Sequence, residues 1–149
     1  MTFSYLSPAD DLQIRNLIAR YALYTDGGEP EKFADLFVEE GSWTRENSPP
    51  RHLGGSGLPR ETLAGREKLV GLIQAVITRF NFKIRHQMTD IVLEPGTDDL
   101  SANIIFRALV TDWTEGPGKI AMAVYYTGEC RKTGDGWKFI RVNARVLPE

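Results

Sequence analysis

Cysteine is nearly absent from this chain of 149 residues: Cys130 stands alone, so no internal disulfide and no cysteine-cluster metal site can form. Histidine is almost as scarce, with only His52 and His86. No pair of histidines with carboxylates shows metal-ligand spacing, so we expect no metal and no cofactor. Basic residues are scattered, and the formal charge of −2 offers no positive field for nucleic acid. No stretch approaches the roughly 20 apolar residues that a membrane span requires. The opening MTFSYLSPADD lacks the basic start and apolar run of a secretory signal, which leads us to expect a cytoplasmic protein. What remains is ordinary for a globular domain. Apolar content of 42% and charged content of 26% at this length suit a single domain, residues 1–149, with a core of useful size.

Helices come first. Ser7 can cap, Pro8 suits the first helical position, and Asp10 stands three after Ser7. Ile14, Leu17, Ile18, Tyr21 and Ala22 then share one face, and Gly27-Gly28 ends the helix at Asp26. Pro30 starts a second helix, with Phe33, Leu36 and Phe37 inward and Gly41 as its stop. A short strand around 42–44 leads into a long loop over 45–64, rich in Gly and Pro, which is a lid or a surface excursion. Gly65 opens a third helix, with Leu69, Leu72, Ile73, Val76, Ile77 and Phe80 on its buried side. Four strands follow, at about 83–94, 101–113, 119–131 and 137–146, separated by turn-forming residues. Helices followed by a strand meander give an α+β pattern with the helices on one side of an antiparallel sheet. Strand 101–113 is apolar on both faces: Ile104, Phe106, Ala108 and Val110 on one, Ile105 and Leu109 on the other. Its second face therefore calls for a cover, and we expect a homodimer.

Alternation along the first of these strands puts Ile84, His86 and Met88 on its more apolar face. A histidine there is either a base in a pocket or a core group with a routine partner. At the end of the first helix, Asp26 opposes the helix dipole, at a cost of a few tenths to about 1 kcal/mol. It is either a plain turn residue or a carboxylate held by a partner.

The segments RYALYTDGGEPEKFADLFVEEGSW, LAGREKLVGLI and YYTGECRKTGDGWKFIRVNARV resemble the SnoaL-like branch of the nuclear-transport-factor-two-like superfamily over nearly the whole chain. The resemblance implies a curved antiparallel sheet wrapped around three N-terminal helices, a cone with a hydrophobic pocket at its wide end. Within the superfamily, scytalone dehydratases and hexachlorocyclohexane dehydrochlorinases carry an aspartate and a histidine at positions that fall here on Asp26 and His86. The dehydrochlorinases also place a tryptophan at Trp43 and an arginine near Arg131. They carry a lysine where Tyr21 stands, and scytalone dehydratase has a second pocket histidine that this chain lacks; both departures tell against those two substrates.

A carboxylate on one ring nitrogen would fix the tautomer of His86, and the other nitrogen would accept a proton. The resemblance thus implies a cofactor-free lyase or isomerase acting on a small hydrophobic cyclic molecule. Tyr21, Tyr24, Trp43 and Phe82 are candidates for an apolar pocket wall, or for plain core. Tyr126 shares a face with Met122 and Val124, which aims its hydroxyl toward the pocket. Asn143, on one face with Phe139, Arg141 and Arg145, offers a polar tip. An arginine among these or Arg107 could stabilise an oxyanion or a leaving group, or form a structural salt bridge. The resemblance adds Arg131 as a substrate-binding candidate. His52 receives no role. Two other readings stay open: a non-catalytic small-molecule binder, and a structural subunit resembling the small subunit of ring-hydroxylating dioxygenases.

Overall fold

The computed structural model describes residues 4–47 and 57–147. Its elements run α1 (Pro8–Asp26), α2 (Pro30–Ala34), β1 (Phe37–Asn47), β2 (Glu61–Ala64), α3 (Arg66–Phe80), β3 (Ile84–Pro95), β4 (Ser101–Asp112), β5 (Lys119–Thr133) and β6 (Gly136–Leu147). The strands form one six-stranded curved sheet in the order β2-β1-β6-β5-β4-β3. The fold is α+β, as the sequence pattern predicts, and the three helices pack inside the curve.

Helix α1 begins as its sequence dictates. The Ser7 hydroxyl accepts from the Asp10 backbone N–H at 3.1 Å and donates to its carboxylate at 2.9 Å. That carboxylate also ties α1 to the last hairpin, accepting from Trp137 Nε1 at 2.9 Å and meeting Lys132 Nζ at 2.9 Å. The Trp137 hydrogen bond, followed by those of Lys132 and Ser7, lowers the Asp10 pKa from 3.8 to about 2. A depressed carboxylate stabilises the fold above its unfolded pKa, and this contribution is lost as pH falls through the folded value. Urea unfolding between pH 4 and 2 should therefore show wild type losing about 1–2 kcal/mol that Asp10→Asn does not lose. Parallel acid profiles for the two proteins would contradict this role.

Three sequence expectations need correction. Helix α2 ends at Ala34, and Gly41 stops nothing. It lies buried inside β1, at an irregularity between Phe37 and Ser42 where a Cβ would press on Phe37 and on the Val38 carbonyl. The strand is accordingly far longer than the short piece around 42–44. The supposed loop 45–64 is in part a hairpin, with Arg45 opposite Glu61 and Ser42 opposite Ala64; positions 48–56, with His52, lie outside the described residues. Finally, the sheet is not wholly antiparallel, because β1 lies parallel to β6. The chain lays down β1 before its third helix, and the meander β3–β6 returns to that edge running in the same direction.

The core fills the cone. Phe33, Phe106, Phe139, Ile14 and Ile18 are fully buried, and the rings of Phe33, Phe37, Phe106, Phe139, Tyr21 and Tyr126 meet in tilted, edge-on and stacked contacts. Ile104, Phe106, Ala108 and Val110 all point inward from β4, as alternation predicts. On the outer face, Leu109, Ile120 and Leu147 are exposed and Ile105 is half-buried.

Candidate active site

A cavity of ≈ 230 Å³ opens between α1, α3 and the inner face of the sheet. A dry cavity of about 150 Å³ can admit a benzene ring, so this one has room for a larger ring system. Aliphatic walls come from α3 and the strands, through Leu72, Val76, Val110, Val124 and Val146.

His86 enters this cavity from β3, and Asp26 grips it from behind. One Asp26 oxygen stands 2.6 Å from His86 Nδ1, and the other accepts the His86 backbone N–H at 2.7 Å. The two side chains are 11% and 10% exposed, so this pairing is largely shielded from water. A carboxylate can only accept, so Nδ1 carries a proton, and in the neutral imidazole Nε2 keeps its lone pair. Nε2 has no protein partner among the described residues, and no buried side-chain nitrogen or oxygen there is left unpaired. Nε2 therefore reaches accessible space, and the accessible space His86 lines is the cavity. The local fold makes the meeting possible. Gly28, with φ +63°, turns the chain just after Asp26, and Phe82 and Ile77 pack where its Cβ would stand. The end of α1 is thereby pressed against the entry to β3.

The cavity is also lined by a set of aromatic donors. Trp43 Nε1 donates to the Tyr21 hydroxyl at 2.9 Å, and the Tyr21 and Tyr126 ring centroids are 5.6 Å apart. Burial pushes the Tyr21 pKa up to about 12, with the Trp43 and Tyr126 hydrogen bonds acting against it. Burial likewise raises Tyr126 well above its ordinary value, and the Asp26 charge adds to the rise in both. Both phenols thus stay protonated and can donate.

Of the predicted residues, the structure brings Asp26, His86, Tyr21, Trp43 and Tyr126 together, and four stand elsewhere. Tyr24 is half-buried beneath the Lys32 ammonium, 5.9 Å from its ring, outside the cavity wall. Arg131 is exposed on the outward phase of β5, nine residues along from Met122 and so about 30 Å from the histidine's row. Asn143 also faces outward, toward Thr127 Oγ1 at 3.4 Å, because Ile140 bulges from β6 and reverses the phase between Phe139 and Val142. Phe82 is half exposed and covers Gly28 rather than the pocket. Sequence reasoning missed Thr25, Arg45 and Arg79, which line the cavity. Arg45 shares the Trp43 face two residues on, in a part of β1 that lies beyond the short strand expected around 42–44. Among the described residues no cluster of three or more His, Cys, Asp or Glu could hold a metal, and no helix is long and apolar enough to cross a membrane.

A curved sheet enclosing helices and a lined pocket defines the cystatin-like, nuclear-transport-factor-two-like class of proteins. The SnoaL-like domain model matches residues 7–143, and the chain belongs to that family. No curated protein matches the sequence. Similar solved structures include a protein assigned as a scytalone dehydratase from Novosphingobium aromaticivorans (22% identity, TM-score 0.73, covering 94% of this chain and 85% of that one). Another is the type 3 hexachlorocyclohexane dehydrochlorinase from Novosphingobium barchaimii (21% identity, TM-score 0.71, 94% and 88%). A third, from Nostoc punctiforme, has a cystatin-like fold and unknown function (19% identity, TM-score 0.76, 97% and 96%). At these identities the likeness establishes the fold alone.

Proposed function

We propose that the protein is a lyase or isomerase that removes a carbon-bound proton from a small cyclic substrate. One observation carries the reading: Asp26 holds both the backbone N–H and Nδ1 of His86, leaving Nε2 as an acceptor at the cavity wall. Such a base is positioned before substrate arrives. The proton passes from carbon to Nε2, and the imidazolium that forms faces the Asp26 carboxylate. Tyr126 and Tyr21 donate to the oxyanion, or to the hydroxyl, that develops on the substrate. Return of the proton to another carbon completes an isomerisation; its delivery to a departing hydroxyl completes a dehydration. This scheme draws only on side chains of the chain itself, and the dehydratase and dehydrochlorinase neighbours suit it.

The test is carbon-proton exchange. A panel of cyclic ketones and β-hydroxyketones, incubated with the protein in D2O, should contain members that gain deuterium beside the carbonyl. His86→Ala should slow that exchange by about 10²–10⁴-fold with the fold retained. Exchange that survives the substitution would remove His86 as the base. Ligands that bind without any exchange would instead indicate a carrier. We also propose a homodimer joined through the outer sheet face carrying Ile105, Leu109 and Leu147; a monomeric mass by light scattering at micromolar concentration would refute it.

A further inference from the structure

Among the described residues, the charged side chains that line the cavity are both arginines, Arg45 and Arg79. His86 lines it too, and no aspartate or glutamate among the described residues does. Asp26 stands behind the histidine with both oxygens engaged. Arg45 is held in place from outside: its Nε donates to the Pro59 carbonyl at 3.1 Å and its Nη2 to Glu61 at 2.9 Å. Its side chain is only 15% exposed, and its Nη1 donors are not used by the described residues. Glu61 offsets the Arg45 charge, and nothing comparable offsets Arg79. That guanidinium lies 4.9 Å from the centroid of the Phe80 ring, which also lines the cavity, and has no carboxylate partner among the described residues. As a cation in the last turn of α3, Arg79 suits the helix dipole, but that role does not require it to line a cavity. A planar donor fork beside a mainly aliphatic and aromatic hollow is suited to a carboxylate.

We infer that the ligand is a hydrophobic cyclic acid, its ring in the aliphatic cavity and its carboxylate bound by Arg79, with Arg45 as a second donor. The inference rests on the proposed function only in placing the ligand in the same cavity. A binding measurement tests it independently of turnover. Isothermal titration should compare 1-naphthoic acid with the neutral 1-naphthamide, which has the same ring and nearly the same shape. Wild type should bind the acid at least about tenfold tighter, and 0.5 M salt should shrink the difference. Arg79→Gln should erase most of the preference, through a loss of acid binding far larger than any change in amide binding. Glu61→Gln, which frees Arg45, should increase the preference. Equal binding of acid and amide by wild type overturns the inference, as does a preference that survives Arg79→Gln. Failure of both probes to bind at millimolar concentration overturns it as well. If the preference holds while no cyclic acid exchanges its carbon proton, only the catalytic reading fails; exchange on neutral rings without any preference removes the carboxylate site alone.

Discussion

Replacing Asp26 by asparagine should cut proton exchange and turnover by about 10²–10⁴-fold, with the melting temperature within a few degrees of wild type. The size of this effect follows from hydrogen-bond direction rather than from lost contact. In the native pairing both partners of Asp26 are donors: the backbone N–H at 2.7 Å and Nδ1–H at 2.6 Å. An asparagine of the same shape has one acceptor and one donor end. The backbone N–H cannot reverse, so it must keep the amide oxygen, and the amide NH2 then faces Nδ1. Nδ1 becomes the acceptor, the ring proton moves to Nε2, and the nitrogen at the cavity loses its lone pair. The histidine stays in place as the wrong tautomer. Nitrogen-15 spectra of the ring would report that switch directly. A variant that keeps more than a tenth of the activity, or whose ring keeps its Nδ1 proton, would show that Asp26 does not set the base.

Why could the residues of this pair be singled out when other site residues could not? Local periodicity placed each of them. Helix α1 ends at Asp26 because Gly27-Gly28 follows, and β3 alternates cleanly from Ile84 through Met88, so His86 faces inward. Their meeting spans 60 positions and is a tertiary fact; only the family resemblance pointed to it. Alternation fails where a strand bulges. Asp90, at φ +52°, interrupts β3 so that Leu93 faces inward after Met88, and Ile140 does the same in β6. The second of these put Asn143 on the wrong side. A bulge is defined by its partner strand, which the local pattern does not contain. Arg45 was lost for a related reason: a Gly- and Pro-rich segment reads as a loop, although its first residues are paired on both edges.

The core beneath the site should be as consequential as the site itself. Phe106→Ala is expected to cost about 3–5 kcal/mol, which at this chain length lowers the melting temperature by about 10–15 °C. Phe106 is fully buried at the centre of β4, and its ring lies 4.6 Å from that of Tyr126, within 12° of parallel. Tyr21 meets it edge-on at 6.3 Å. Truncation would open a hollow between the floor of the cavity and the sheet, bounded by rings whose other neighbours hold them in place. The loss should therefore appear in two measurements. Urea unfolding would report the cavity cost. Exchange rates measured well below the melting point would report the displaced phenols, because a donor moved by about 1 Å loses much of its stabilising effect on a developing charge. Phe106→Leu separates the two, since it keeps most of the volume while removing the stacked face under Tyr126. It should cost the fold less than half as much as alanine and still slow exchange. If both variants lost stability in proportion to volume while exchange stayed at the wild-type rate, Tyr126 would be core and nothing more. The donors in the scheme would then reduce to Tyr21, which Trp43 orients through its Nε1–H.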